Sequence, residues 1–157
     1  MHIAILGTRG VPANYGGFET CAEEISVRMS EKGHKTTVYC RKNDYDERPD
    51  KYKGVNLVYL PCIKGKITET FSHTFFSIIH SLFLKADILY VMNAANGPLC
   101  LIPRIFCKNV VINVDGLEWK RKKWGRFASK YIESLMIPKT SRTIFCSIYS
   151  PAEYAII

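Results

Sequence analysis

Two stretches hold most of the residues able to do chemistry. The first, GTRGVPANYGGFET, sets Gly7, Gly10, Gly16 and Gly17 between an apolar run, His2–Leu6, and an acidic segment. Glycines bring backbone N–H groups within reach of phosphate, and a following helix adds partial positive charge at its N-terminus. The spacing is not GxGxxG, and GxxxxGK[ST] is absent. Nor does the next strand end in the Asp or Glu that would hold a ribose; it ends in Cys40-Arg41-Lys42. Arg41 and Lys42 suit a 2′-phosphate, so an NADP-binding protein stays open at this point. So does a glycine-rich turn with no ligand.

The second stretch is NVDGLEWKRKKWG, Asn113–Gly125. Asp115 follows an apolar strand and so falls at the ligand-binding edge of a parallel sheet, with Glu118 three residues on. Either carboxylate can orient hydroxyl groups; a turn cap and a salt bridge are their structural alternatives. Lys120, Arg121, Lys122, Lys123, Arg126 and Lys130 are interleaved with Trp119, Trp124 and Phe127. Cations among indole rings suit an anionic membrane surface or a lipid-linked pyrophosphate; a solvated helix face is the plain alternative. No nucleic-acid-binding signature accompanies them, so nucleic acid is not an expected partner.

The elements that must position these groups alternate. Strands are expected at His2–Leu6, Thr36–Cys40, Val55–Leu60, Ile88–Met92, Val110–Val114 and Thr143–Cys146. Helical patterns fall between them. Over Phe18–Lys32, the residues Phe18, Ala22, Ile25 and Met29 share one face, Glu19, Glu23 and Glu24 lie toward the N-terminal end, and Gly33 stops the helix. Phe71–Leu84 reads as a core helix covering the sheet, or else one that dips into a membrane. A short helix is expected in Gly97–Cys107, disturbed at Pro103, and an amphipathic one over Trp124–Met136. Arg41–Lys53 reads as a loop. Ser150-Pro151 signals one more helix start. Strand–helix alternation with short Val/Ile-rich strands predicts an α/β fold: a Rossmann-like, doubly wound parallel sheet.

The chain has 157 residues, enough for one domain with a core, and a formal charge of +8 that favours an anionic partner. Six cysteines occur without CxxC pairs or zinc-finger spacing, so buried free thiols in a reducing cytoplasm are expected and no metal site is. No run of about 18 apolar residues occurs, and no signal sequence precedes the first strand. The sequence ends on Ile156 and Ile157, which reads as a chain cut inside a helix or before a second domain.

Taken together, Gly7–Thr20 and Asn113–Gly125 resemble the N-terminal domain of bacterial rhamnosyltransferase-like glycosyltransferases, retaining enzymes of family 4 with the GT-B architecture. The resemblance covers nearly the whole chain. It implies one Rossmann-like half of a two-domain enzyme, the half that holds a glycan or lipid-linked acceptor; a truncated, catalytically inactive binding module of the same fold is the alternative. The missing C-terminal half, separately encoded or lost, would grip most of a nucleotide-sugar donor, without metal or cofactor. It also implies that Gly16-Gly17 approaches the donor diphosphate. N–H donors of Gly16, Gly17 and Phe18 would then stabilise charge growing on the departing diphosphate. Arg9 would add positive charge, and Asn14 and Tyr15 would meet sugar hydroxyls. Many relatives carry a histidine near Asp115; aspartate fits the rhamnosyltransferase-like subgroup. Cys146-Ser147 departs from the Asp-Ser common at that strand.

Overall fold

The structure is a computed structural model that describes residues 1–14, 16–65, 68–114 and 143–147. Seven strands form one sheet: β1 (His2–Leu6), β2 (Lys35–Arg41), β3 (Lys51–Tyr52), β4 (Val55–Leu60), β5 (Ile88–Met92), β6 (Asn109–Val114) and β7 (Thr143–Ser147). Their spatial order is β3-β4-β2-β1-β5-β6-β7. Every pairing is parallel except β3 with β4. The order reverses at β1, which pairs with β2 on one side and β5 on the other. In a doubly wound sheet that switch point opens a crevice beyond the strand ends.

Three α-helices are described: α1 (Gly17–Glu31), α2 (Thr68–Phe83) and α3 (Leu101–Ile105), with 3-10 turns at Lys42–Asp44 and Ala94–Cys100. The strand alternation sorts the apolar residues into two cores. Ile3, Ile5, Val38, Cys40 and Leu57 pack with Ala22, Phe18 and Ile25 of α1. Ala4, Leu6, Tyr39, Leu89, Val91 and Ile112 pack with Ile78 of α2 and Ile102 of α3. With both faces covered, the strands can be buried on both sides, as β1 is over its whole length.

The expected strands and first two helices are present with small shifts at their ends. The segment expected as a loop, Arg41–Lys53, instead holds a 3-10 turn and the short antiparallel strand β3. Lys53 (φ 45°) and Gly54 (φ 82°) form a two-residue turn with both residues left-handed, the geometry that closes a tight hairpin. In the Gly97–Cys107 region a 3-10 turn begins earlier, at Ala94, and Pro103 sits inside the single turn of α3. A turn that short does not need the hydrogen bond that proline removes. The helices expected over Trp124–Met136 and after Ser150 lie outside the described residues.

Candidate functional site

The loop from Gly7 to Gly16 is pinned from several sides. Gly7 has φ +94°, and a Cβ there would run into the Met92 carbonyl oxygen on β5. Gly10 has φ +129°, and a Cβ would stand 2.6 Å from Cys40 Sγ. Both positions need glycine for the fold itself. A cis peptide joins Val11 to Pro12, and the Tyr45 hydroxyl donates to the Pro12 carbonyl at 2.9 Å. The Ala13 N–H donates to Glu23 Oε2 at 2.9 Å, and Tyr52 of β3 donates its hydroxyl to the other oxygen of Glu23, also at 2.9 Å. These bonds to the charged form hold the Glu23 carboxyl below its ordinary range, with the Ala13 N–H the largest cause.

Gly16 and Gly17 are different. Gly16 is extended (φ −164°), a conformation open to any residue, and a Cβ would lie 3.4 Å from Glu19 Oε2, an ordinary contact. A Cβ on Gly17 would meet nothing within 4 Å. Neither glycine is required by protein packing. Both line a cleft of about 290 Å³ with Gly7, Thr8, Arg9, Phe18, Glu19, Arg41, Glu69, Thr70 and Asn93. Gly16 caps α1 with no side-chain hydrogen bond, so the first-turn N–H groups and the positive end of the helix dipole face this space.

The charge of the cleft is balanced. Glu19 is buried in the first turn of α1 and accepts the Arg9 N–H at 3.3 Å. Arg41, at the end of β2, is also buried; its guanidinium donates to Thr70 Oγ1 at 2.9 Å and lies 3.7 Å from Glu69 and 4.0 Å from Asp44. It therefore ties β2 to the first turn of α2. Two arginines stand against two glutamates among the lining residues, so an anion would rely on backbone N–H groups more than on net charge. Thr8 lines the cleft with its buried hydroxyl unpartnered among the described residues. Asn93 follows β5 at φ 75°, a conformation asparagine tolerates well, and also lines the cleft.

Of the residues expected to act, the cleft gathers Arg9, Gly16, Gly17 and Phe18. Asn14 is exposed and is not among its lining residues. Tyr15, Asp115, Glu118, Trp119, Lys120, Arg121, Lys122, Lys123 and Trp124 lie outside the described residues. β6 ends at Val114, parallel to β5, on the sheet edge where Asn93 sits. Sequence reasoning missed Thr8, Glu19, Glu69, Thr70 and Asn93 as lining residues. Asn93 had a signal, as the residue directly after a strand at the switch point; Glu69 and Thr70 reach the site only through the placement of α2. The 2′-phosphate alternative meets an Arg41 that already faces two carboxylates. Among the described residues no cluster of three metal-ligating side chains occurs, and no helix is long and apolar enough to cross a membrane.

The family model described as a domain of unknown function, DUF1972, matches residues 1–154. No curated protein matches the sequence. Among solved structures, a sucrose-phosphate synthase from Thermosynechococcus elongatus is similar, with a TM-score of 0.63 at 12% identity over 92% of this chain. The chain spans 47% of that protein, about half its length. At this identity the likeness shows the fold, a Rossmann-like α/β unit matching part of a GT-B glycosyltransferase.

Proposed function

The chain belongs to the DUF1972 family, and we propose that it is the acceptor-side half of a retaining glycosyltransferase. The sugar, rhamnose by the resemblance of its two motifs, passes from a nucleotide-sugar donor to a cell-surface polysaccharide or lipid-linked oligosaccharide at the cytoplasmic face of the membrane. One observation carries the reading. Gly16 and Gly17 lack side chains that the fold would accommodate, and they do so at the N-terminus of α1, on the rim of the switch-point cleft. Bare backbone there serves a ligand that approaches closely, and a diphosphate is the ligand that helix N-termini favour.

In this reading the donor diphosphate lies over Gly16 and Gly17. As the sugar leaves, negative charge grows on the diphosphate oxygens, and the fixed N–H donors of the first turn meet it without reorganising. Arg9 adds charge on the same rim. Asp115, which follows β6, orients the acceptor or the transferred sugar, and Glu118 assists it. Asn14 and Tyr15 serve sugar hydroxyls from the outer part of the loop. The base and ribose are gripped by a second Rossmann-like domain facing this one across a cleft, consistent with a structural relative about twice as long.

Calorimetry with a nucleoside diphosphate tests the assignment. Half a site should bind with a Kd of about 1 mM, near −4 kcal/mol. Gly17→Ala should remove that binding and leave stability within about 1 kcal/mol, since its Cβ meets nothing. Unchanged binding in Gly17→Ala, or tighter binding of NADPH than of the diphosphate, would replace this reading with a dinucleotide site or an unliganded turn.

A further inference from the structure

Helix α2 is inside out. A helix on a soluble surface turns its polar side to water. Here the buried side carries His73, Thr74, Ser77 and Ser81 beside Ile78, all 0% exposed. The serines tolerate burial because their hydroxyls donate within the helix, Ser77 to the His73 carbonyl at 2.7 Å and Ser81 to the Ile78 carbonyl at 2.6 Å. From Phe75 onward the outward side is apolar, after Thr68 and Ser72 in its first turns: Phe75, Phe76 and Phe83 are 40%, 38% and 80% exposed, with Ile79 and Leu82 half-buried between them. Ile63, 61% exposed, extends the strip, because its N–H donates to Ser72 Oγ at 3.0 Å.

The charges around the strip choose its occupant. Lys64 is exposed at its entry and Lys85 at its exit. The two acidic groups of the segment 61–108 are engaged elsewhere, Glu69 beside Arg41 and Asp87 accepting the His2 N–H at 2.7 Å. An isologous contact with a second copy would bring like charges together at both ends of the strip. An apolar aromatic face with cations at its ends suits the interface of an anionic bilayer instead. We propose that α2 lies flat on an anionic membrane surface with Phe75, Phe76 and Phe83 among the acyl chains. Glu69 and Thr70, in its first turn, line the cleft, so a lipid-linked polar group leaving the bilayer beside α2 would meet the cleft at once. Membrane binding is measured without sugar transfer, so it stands or falls apart from the transferase assignment.

Co-sedimentation of the 157-residue chain with phosphatidylcholine vesicles, with and without phosphatidylglycerol, tests it. The expected result is binding at least tenfold stronger to the anionic vesicles. The paired substitutions Phe76→Ser and Phe83→Ser, at exposed sites, should weaken it at least tenfold with an unchanged circular dichroism spectrum and melting curve. Lys64→Glu with Lys85→Glu should do the same. Three results would overturn the proposal: equal binding to neutral and anionic vesicles, binding that survives the phenylalanine pair but is lost when Lys120–Lys123 alone are reversed, or a vesicle-indifferent dimer that Phe83→Ser dissociates.

Discussion

Single residues divide the glycine loop into two kinds of position. Gly7 and Gly10 are fixed by backbone sterics; Gly16 and Gly17 are free of them. Gly7→Ala should therefore cost at least about 2 kcal/mol in chemical denaturation, combining left-handed strain with a collision against β5. Glu19 poses a sharper question, because a buried carboxylate lines a cleft assigned to an anion. Glu19→Gln keeps an acceptor for the Arg9 N–H and removes the charge. It should raise pyrophosphate affinity about fivefold, roughly 1 kcal/mol, while weakening the helix N-terminus by about 0.5 kcal/mol. Affinity that does not change in titration calorimetry would put the phosphates away from this turn.

Among the elements, α2 carries the most strongly shifted of the described histidines. Burial pushes the His73 imidazole down to about 4 from 6.5. The folded protein keeps this ring neutral, while the unfolded chain takes up a proton below about pH 6.5. Stability should thus be full above pH 6.5 and fall as the pH drops toward 4, by up to about 3 kcal/mol from this group. The His2 ring is also lowered, chiefly by burial and then by Lys35, and slopes the same way. Urea unfolding at several pH values should show His73→Leu with a flatter profile than the parent, with His2 and, toward pH 4, Glu23 contributing to what remains. Equal slopes in the two proteins would mean that His73 is protonated inside the fold. The small strand β3 has its own part here: through Tyr52 and Glu23 it holds the loop residue Ala13.

At the scale of the molecule, the doubly wound sheet presents a crevice with backbone donors and balanced charge among the described residues. It presents no second wall to clamp a donor among the described residues. Aligning two reactants can supply on the order of 7–11 kcal/mol of a barrier, and one half-site forgoes most of that. The 157-residue chain by itself should show no sugar transfer when incubated with labelled nucleotide sugars and lipid-linked acceptors. Adding a companion donor-binding domain should restore it. Robust turnover by the chain alone would remove the half-enzyme assignment, unless a dimer built the second wall.

Much of this was legible in the residues because it depends on local order. Strand–helix alternation dictated the doubly wound sheet, and the glycines between β1 and α1 marked the turn that lines the cleft. What the sequence could not separate was which glycines the fold requires and which it does not. That distinction rests on atoms distant in the chain, the Met92 carbonyl against Gly7 and the Cys40 thiol against Gly10, with open space at Gly17. Likewise Arg41, Glu69 and Thr70 meet only because β2 and α2 converge at one sheet edge. The orientation of α2 was also a tertiary decision. Its sequence separates a stripe of His73, Thr74, Ser77 and Ser81 from one of Phe75, Phe76, Ile79, Leu82 and Phe83, and periodicity alone would turn the polar stripe to water; packing against the sheet buries that stripe and leaves the phenylalanines outward.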